Sequence, residues 1–431
     1  MEMKPLNIFQ RCIRVWEQAH PYNAAQVLHL AGPADLAKIT DAWNQVLATS
    51  GLGIARVVGR RFCYEPAPRQ EVAVVDPTLG LDGFITREIN RPFDVSSTMP
   101  FRPFVLSGGG AYHFGVIYQH WVADSVSLRM LLREWFCRLY DPAHVTAQPL
   151  HIPHGGFWRY FGPGRAGWSL PKGMVSLLRS TRQFSRARRI EKGAGAQHVE
   201  VSLHQLPDGM VDALLEVIHR RGAGGGVGGV TLNDLFLAAL ARACDEHGAA
   251  PRQSPRDLAL GSIVDLRAMS PENLQNTFGL FLGFTSIVVP ADLLQDPDRL
   301  VASIAQQNTQ QKERRAAAAS MLRMAAGYAQ AQLLSQKQLA AFYRNYMPLS
   351  GGVSNVNMNR SWAAEFHPTP LLNYLRVAPT GPMVPLVIAV TTIGRRFSFA
   401  LTRRSSLVDN VRGAQLAQTF IDELTARAKM G

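Results

Sequence analysis

Apolar and polar positions alternate through residues 112–118, with Tyr112, Phe114, Val116 and Tyr118 on one face of an expected strand. After Ser125 the spacing changes. Val126, Met130, Leu131, Trp135 and Phe136 recur mostly at three- and four-residue steps, which predicts a helix running to about Tyr140. The change of period falls on Gln119-His120-Trp121-Val122-Ala123-Asp124-Ser125. His120 and Asp124 are therefore expected at a strand-to-helix junction, where a rigid scaffold can present side chains into a cleft.

The same patterns predict the rest of the chain. Helices are expected over 6–19, 34–48, 81–89, 206–220, 298–318, 321–334, 336–343 and 408–428, with another to Cys244 capped by Thr231 or Asn233. Strands are expected over 25–30, 54–58, 61–64, 72–75, 101–106, 198–203, 258–264, 352–356, 386–392 and 396–402. Residues 278–289 read as an apolar strand region broken at Gly283. Mixed elements with several hairpins argue for an α/β architecture. Residues 141–197 are the most irregular, with five prolines followed by a basic run of Arg179, Arg182, Arg186, Arg188, Arg189 and Lys192. The expected division is a first lobe over 1–175, a basic crossover linker over 176–197 and a second lobe over 198–431. The linker reads first as solvated, and alternatively as a dock for an acidic carrier protein or an anionic membrane. Trp158, Tyr160, Phe161 and Trp168 could fold back on the core or touch lipid.

Composition narrows the function classes. The chain has 431 residues, 47% hydrophobic and 18% charged, which suits a large core and argues against disorder. A formal net charge of +13 favours anionic partners. No zinc-finger spacing or RNA-recognition signature accompanies it, so nucleic acid is not the expected partner. Cys12, Cys63, Cys137 and Cys244 lie far apart and fit structural thiols in a reducing compartment. With no signal peptide and no membrane-length apolar run visible, the expected location is the cytoplasm, with membrane-surface contact left open. The Gly-rich stretch 222–229 lacks a Gly-Lys-Ser/Thr sequence and is read as a connector. His151 and His154 are three apart with no further ligands spaced to complete a site, so no metal is expected.

The junction itself suits general-base chemistry, since a neutral imidazole works near pH 7. Taken alone, His-x-x-x-Asp reads more readily as a core histidine followed by a helix N-cap. Its surroundings shift that balance. Gln119-His120-Trp121-Val122-Ala123-Asp124-Ser125 resembles the His-His-x-x-x-Asp-Gly motif of the condensation-domain and acyltransferase superfamily. That superfamily includes nonribosomal-peptide condensation domains, wax ester synthases, polyketide-associated acyltransferases and chloramphenicol acetyltransferase. Pro21-Tyr22-Asn23, Asn90-Arg91-Pro92-Phe93-Asp94, Pro100 to Phe104, Thr231 to Leu235, Asp265-Leu266-Arg267, Asn276-Thr277-Phe278-Gly279 and Val353 to Val356 follow in the family's order. Two positions depart from the pattern: Gln119 replaces the first His and Ser125 replaces the Gly.

The resemblance implies two chloramphenicol-acetyltransferase-like lobes forming a pseudo-dimer, with an active-site tunnel between them. It implies acyl transfer from a pantetheine thioester, on a carrier protein or coenzyme A, to an alcohol or amine in natural-product metabolism, with no bound cofactor and a monomer sufficient. It makes His120 the base and Asp124 a structural residue paired with Arg267, or failing that Arg102. Oxyanion donors are sought in the amide near Ser125 and the side chains of Ser354 or Asn355. Gln119, Asn276, Phe278 and Gly279 are expected to contact substrate. Two other readings stand beside this one: a catalytically silent module that recruits a carrier or partner, favoured by the two departures, and a membrane-surface wax-ester-type enzyme.

Overall fold

The structure is a computed structural model that describes residues 2–94, 99–146, 148–152, 156–193, 197–223, 229–252, 256–360, 362, 371–381 and 384–429. In chain order its first elements are β1 (Lys4–Pro5), α1 (Ile8–Glu17), β2 (Asn23–Ala31), α2 (Leu36–Ser50), β3 (Ile54–Val58), β4 (Arg61–Glu65), β5 (Ala73–Val74), α3 (Gly80–Asn90), β6 (Phe101–Gly108), β7 (Ala111–Gln119), α4 (Ser125–Tyr140) and α5 (Phe157–Phe161). There follow α6 (Leu170–Arg186), β8 (Val199–Gln205), α7 (Met210–Ala223), α8 (Leu232–His247), β9 (Leu258–Asp265), β10 (Leu282–Val289), α9 (Pro297–Glu313), α10 (Ala316–Ala331) and α11 (Gln336–Tyr346). The last are β11 (Gly351–Asn357), β12 (Leu371–Val377), β13 (Leu386–Ile393), β14 (Arg396–Arg404) and α12 (Asn410–Lys429).

These elements form two compact units, neither continuous in sequence. The first comprises Met1–Ala166, Asp265–Leu282 and Met358–Pro379; the second comprises Gly167–Val264, Gly283–Asn357 and Thr380–Gly431. The boundaries thus differ from the contiguous lobes expected over 1–175 and 198–431. Two stretches of the second half, one carrying Arg267 and the other β12, group with the first unit because their backbone bonds are made there.

In the first unit, β7 lies between β2 and β6 in a five-stranded sheet of order β12-β2-β7-β6-β5. The alternation at 112–118 places Tyr112, Phe114, Val116 and Tyr118 in the core, but Ile117 is buried too, because β7 is covered on both faces. Helix α4 packs Leu128, Leu131, Leu132, Trp135 and Phe136 into the same core. At the sheet edge, β12 pairs antiparallel with β2, bringing Arg376 opposite Gln26. Periodicity did not reveal this strand. Helix α1 opens with a capping box between Asn7 and Gln10, and the Gln10 amide then donates to the Trp121 carbonyl at 3.0 Å. The first helix therefore holds the turn that follows β7.

The second unit is built on a six-stranded sheet of order β10-β9-β11-β13-β14-β8. Parallel pairing of β11 with both β9 and β13 places it in the interior, and Thr231 caps α8 through a capping box with Asp234. Most of the expected linker is ordered structure. Helix α6 spans 17 residues and buries Ser180 and Phe184. Pro171, which reads as a breaker in sequence, sits in the first turn, where a missing N–H costs nothing. Of the basic run, Arg188 is buried and paired with Asp245 at 2.6 Å, so it is not part of a solvated face. Tyr160, Phe161 and Trp168 are core residues, while Trp158 is exposed. The long helix expected over 298–318 breaks instead at Arg314–Arg315, between α9 and α10.

Candidate active site

His120 follows directly from the central strand β7. Its backbone N–H donates to the Tyr22 carbonyl at 3.2 Å, and its ring lies 5.8 Å from the rings of both Tyr22 and Tyr118. The Nδ1 atom is 3.0 Å from the Ala123 carbonyl oxygen. A carbonyl only accepts, so Nδ1 carries the proton and the Nε2 lone pair is left as the basic site. Burial pushes the imidazole's pKa below its ordinary value, partly offset by the nearby Asp124 charge. The ring is thus held by a main-chain oxygen within its own turn, and not by the Asp124 carboxylate.

Asp124 faces the opposite way. It is the N-cap of α4, its Oδ1 accepting from the Ser127 N–H at 2.9 Å. Arg267 donates to it through both Nη1 (2.8 Å to Oδ2) and Nη2 (3.1 Å to Oδ1), and Phe281 N–H donates to Oδ2 at 2.8 Å. Neither side chain of this ion pair is exposed to solvent. Burial opposes the carboxylate's charge, but the Arg267 guanidinium together with the Ser127 and Phe281 amides outweighs it and holds the pKa below the usual carboxylate range. Arg102, the other expected partner, instead reaches Glu88 and stacks 3.7 Å over the Phe93 ring.

Ser127 closes the arrangement, and no sequence signal beyond its place three residues after an N-cap marked it. Its hydroxyl donates to the Gly279 carbonyl at 2.8 Å and accepts from Gly279 N–H and Arg267 Nη2, both at 2.9 Å. Asp124 N–H also donates to the Gly279 carbonyl at 2.9 Å. Gly279 has φ +154°, and a Cβ there would lie 3.2 Å from the Phe281 ring. The expected substrate contact at Gly279 is thus also a backbone clamp on the motif. Phe278 is buried and donates its N–H to the His151 carbonyl, whereas Asn276 is exposed. Gln119 is buried, its amide oxygen accepting from the Trp121 indole at 3.3 Å, so the structure gives it a supporting place.

Ser125 is partly exposed at the start of α4. Its hydroxyl is 3.1 Å from Gln26 Nε2 and 3.1 Å from Arg376 Nη1. Both neighbours only donate: the Gln26 amide nitrogen faces this way because it also meets the Ser125 carbonyl at 3.2 Å, while the Gln26 oxygen accepts from the Tyr374 hydroxyl. Both lone pairs of Ser125 Oγ are therefore occupied, and its hydrogen points away from them. Arg376 is buried; desolvation, then the neighbouring Arg129 charge, brings its pKa down to about 9, so it remains cationic at neutral pH. These partners lie 99 and 251 residues away in sequence, which is why pattern reasoning missed them.

Ser354 and Asn355 lie on β11 of the second unit, opposite Ala389 and Val390 of β13. The Asn355 Oδ1 is a buried acceptor with no partner among the described residues. Among the described residues, no group of three or more His, Cys, Asp or Glu side chains is arranged to hold a metal ion, and no helix is long and apolar enough to cross a membrane. His154 lies outside the described residues.

No protein-family model and no curated protein matches this sequence. Solved structures do match. The first condensation domain of the calcium-dependent antibiotic synthetase superposes with a TM-score of 0.68 at 15% identity, over 99% of this chain and 96% of that one. The condensation domain of the monacolin K polyketide synthase MokA matches at 0.63 and 12% identity, over 100% and 98%. The X-domain in its complex with OxyB from teicoplanin biosynthesis matches at 0.58 and 16% identity, over 100% and 94%. The chain therefore has the mixed α/β fold of condensation domains, along nearly its whole length.

Proposed function

We propose that this protein is a condensation-type acyltransferase in natural-product biosynthesis. The donor is an acyl or peptidyl group carried as a pantetheine thioester on a carrier protein or coenzyme A. The acceptor is a small alcohol or amine. His120 Nε2 takes the proton from the attacking hydroxyl or amine; the new C–O or C–N bond forms at the thioester carbon; the C–S bond breaks and the departing thiolate recovers the proton. General-base assistance of this kind contributes about 10²–10⁴ in rate. The observation that carries the proposal is the Nδ1–H to Ala123 carbonyl bond, which fixes the tautomer with a basic Nε2. Asp124 and Arg267 hold the turn and take no proton. Ser125 Oγ, polarised by Arg376, is the proposed donor to the oxyanion.

The test is intact-mass spectrometry of acyl-loaded carrier proteins and acyl-coenzyme A donors with a panel of alcohols and amines. A product mass that disappears with His120→Ala supports the proposal; the same product yield from that variant removes His120 from the mechanism. A recruiting module is the second reading, favoured by Gln119, whose side-chain oxygen accepts from the Trp121 indole N–H where the motif has its first histidine. Carrier binding without transfer in the wild type would select it.

A further inference from the structure

The second unit contains a pocket of about 520 Å³ walled by its own elements: α6, the start of β10, the end of α9 and the start of α10. Four cations line it, Lys172, Arg179, Arg314 and Arg323, against a single acid, Glu313. Lys172 and Arg179 are seven residues apart on α6, close to two helical turns, and so share a face. Arg323 is the desolvated cation. Its guanidinium carbon lies 5.1 Å from the Phe284 ring and 5.5 Å from the Phe184 ring, and it donates to Ser180 Oγ. Among the described residues it has no carboxylate partner, and burial alone brings its pKa down to about 10, which leaves it charged at neutral pH. Arg323 is half-buried, and a cation partly withdrawn from water without a counter-charge is costly to keep.

A separate feature meets it there. Arg315, the N-cap of α10, makes no side-chain cap hydrogen bond, and with φ 52° it is the one non-glycine residue at positive φ among the described residues. Such strain is held by the surrounding structure and concentrates at functional positions. Its effect here is to turn the chain so that α10 begins at the pocket wall, with Ala316 and Ala319 lining it. The uncapped N–H groups of the first turn, at the positive end of a 16-residue helix, are anion donors.

We propose that this pocket binds the phosphate of a small phosphorylated ligand, a phosphate monoester or diphosphate, with the uncapped start of α10 and Arg323 holding the oxygens and Lys172, Arg179 and Arg314 supplying the field. Donors spread over a helix start and several separate side chains suit a multiply charged tetrahedral group better than one planar carboxylate. The site goes beyond acyl transfer, and its test needs no turnover.

Isothermal titration of the full chain with inorganic phosphate and with adenosine 3′,5′-bisphosphate, at constant ionic strength in chloride, reads it directly. The expected result is saturable binding of one ligand per chain, weakened at least tenfold by Arg323→Gln and by the double variant Lys172→Glu/Arg179→Glu. Lys172 and Arg179 are exposed, so the double variant keeps the fold even if Arg323→Gln does not. Equal affinity for the two probes assigns recognition to the phosphate alone; tighter bisphosphate binding assigns it to a nucleotide-bearing ligand. Absence of saturable binding by the wild type, or wild-type affinity in the exposed double variant, overturns the proposal.

Discussion

Replacing Arg267 by Met removes the guanidinium and keeps much of the volume. In the wild type Asp124 accepts four hydrogen bonds, two of them from Arg267 at 2.8 and 3.1 Å, with both side chains shielded from water. The variant leaves a buried carboxylate with only the Ser127 and Phe281 amides, and also deprives Ser127 Oγ and the Thr277 carbonyl of a donor. Breaking one side of a buried pair typically costs about 3–5 kcal/mol, which is roughly two to three and a half decades in the folding equilibrium. The carboxylate then protonates more readily, so part of the loss should be recovered as pH falls toward its raised pKa. In the wild type the sign is opposite. Its depressed Asp124 pKa contributes stability above the unfolded carboxylate value of about 3.9, lost as pH falls through the folded value. Urea unfolding of the wild type, Arg267→Met, Asp124→Leu and the double variant measures the coupling. The double variant should cost less than the sum of the singles by more than about 1 kcal/mol, since it removes both members of the buried pair. The partly exposed Asp265, which also meets Arg267 Nη1 at 3.1 Å, loses that partner equally in Arg267→Met and in the double variant. A single-variant loss below about 0.5 kcal/mol, or strict additivity, would refute the argument that this pair locks the turn.

The pH dependence of acyl transfer reports on His120. It acts as a base only when neutral, and burial lowers its pKa, so kcat/KM should hold as pH drops past the ordinary imidazole value of about 6.5 and fall only below it; an acid limb at or above 6.5 would contradict the structure. Ser125→Ala should lower kcat by about 10²–10³ with little change in KM if its hydroxyl is the oxyanion donor. An unchanged kcat transfers that role to a backbone amide.

The expectation that a strand and a helix meet at His120 and Asp124 followed from a change of period that the core enforces: residues of β7 and α4 must face an apolar interior whatever else the chain does. The same physics made α1, α2, α8 and the β13–β14 hairpin legible, since each carries its signal within a few turns or across one tight turn. Helix α6 was not legible, because Pro171 and the surrounding glycines imitate a loop until the first-turn position of the proline is known. The joint between α9 and α10 was misplaced because it depends on one arginine held at positive φ, which side-chain type disfavours.

What the sequence determined by itself was therefore local: which stretches bury a face, where the motif lies, and the resemblance its residues carry. The tertiary structure decided which partners those residues meet. Arg267 reaches Asp124 across 143 positions, Gly279 reaches Ser127 across 152, and Arg376 reaches Ser125 across 251. Contacts at such separations leave no period in the chain, since they are set by how sheets and loops pack. The ring tautomer of His120, the spent lone pairs of Ser125 and the uncapped start of α10 follow from that packing, because a hydrogen bond depends on distance and direction that spacing alone does not encode.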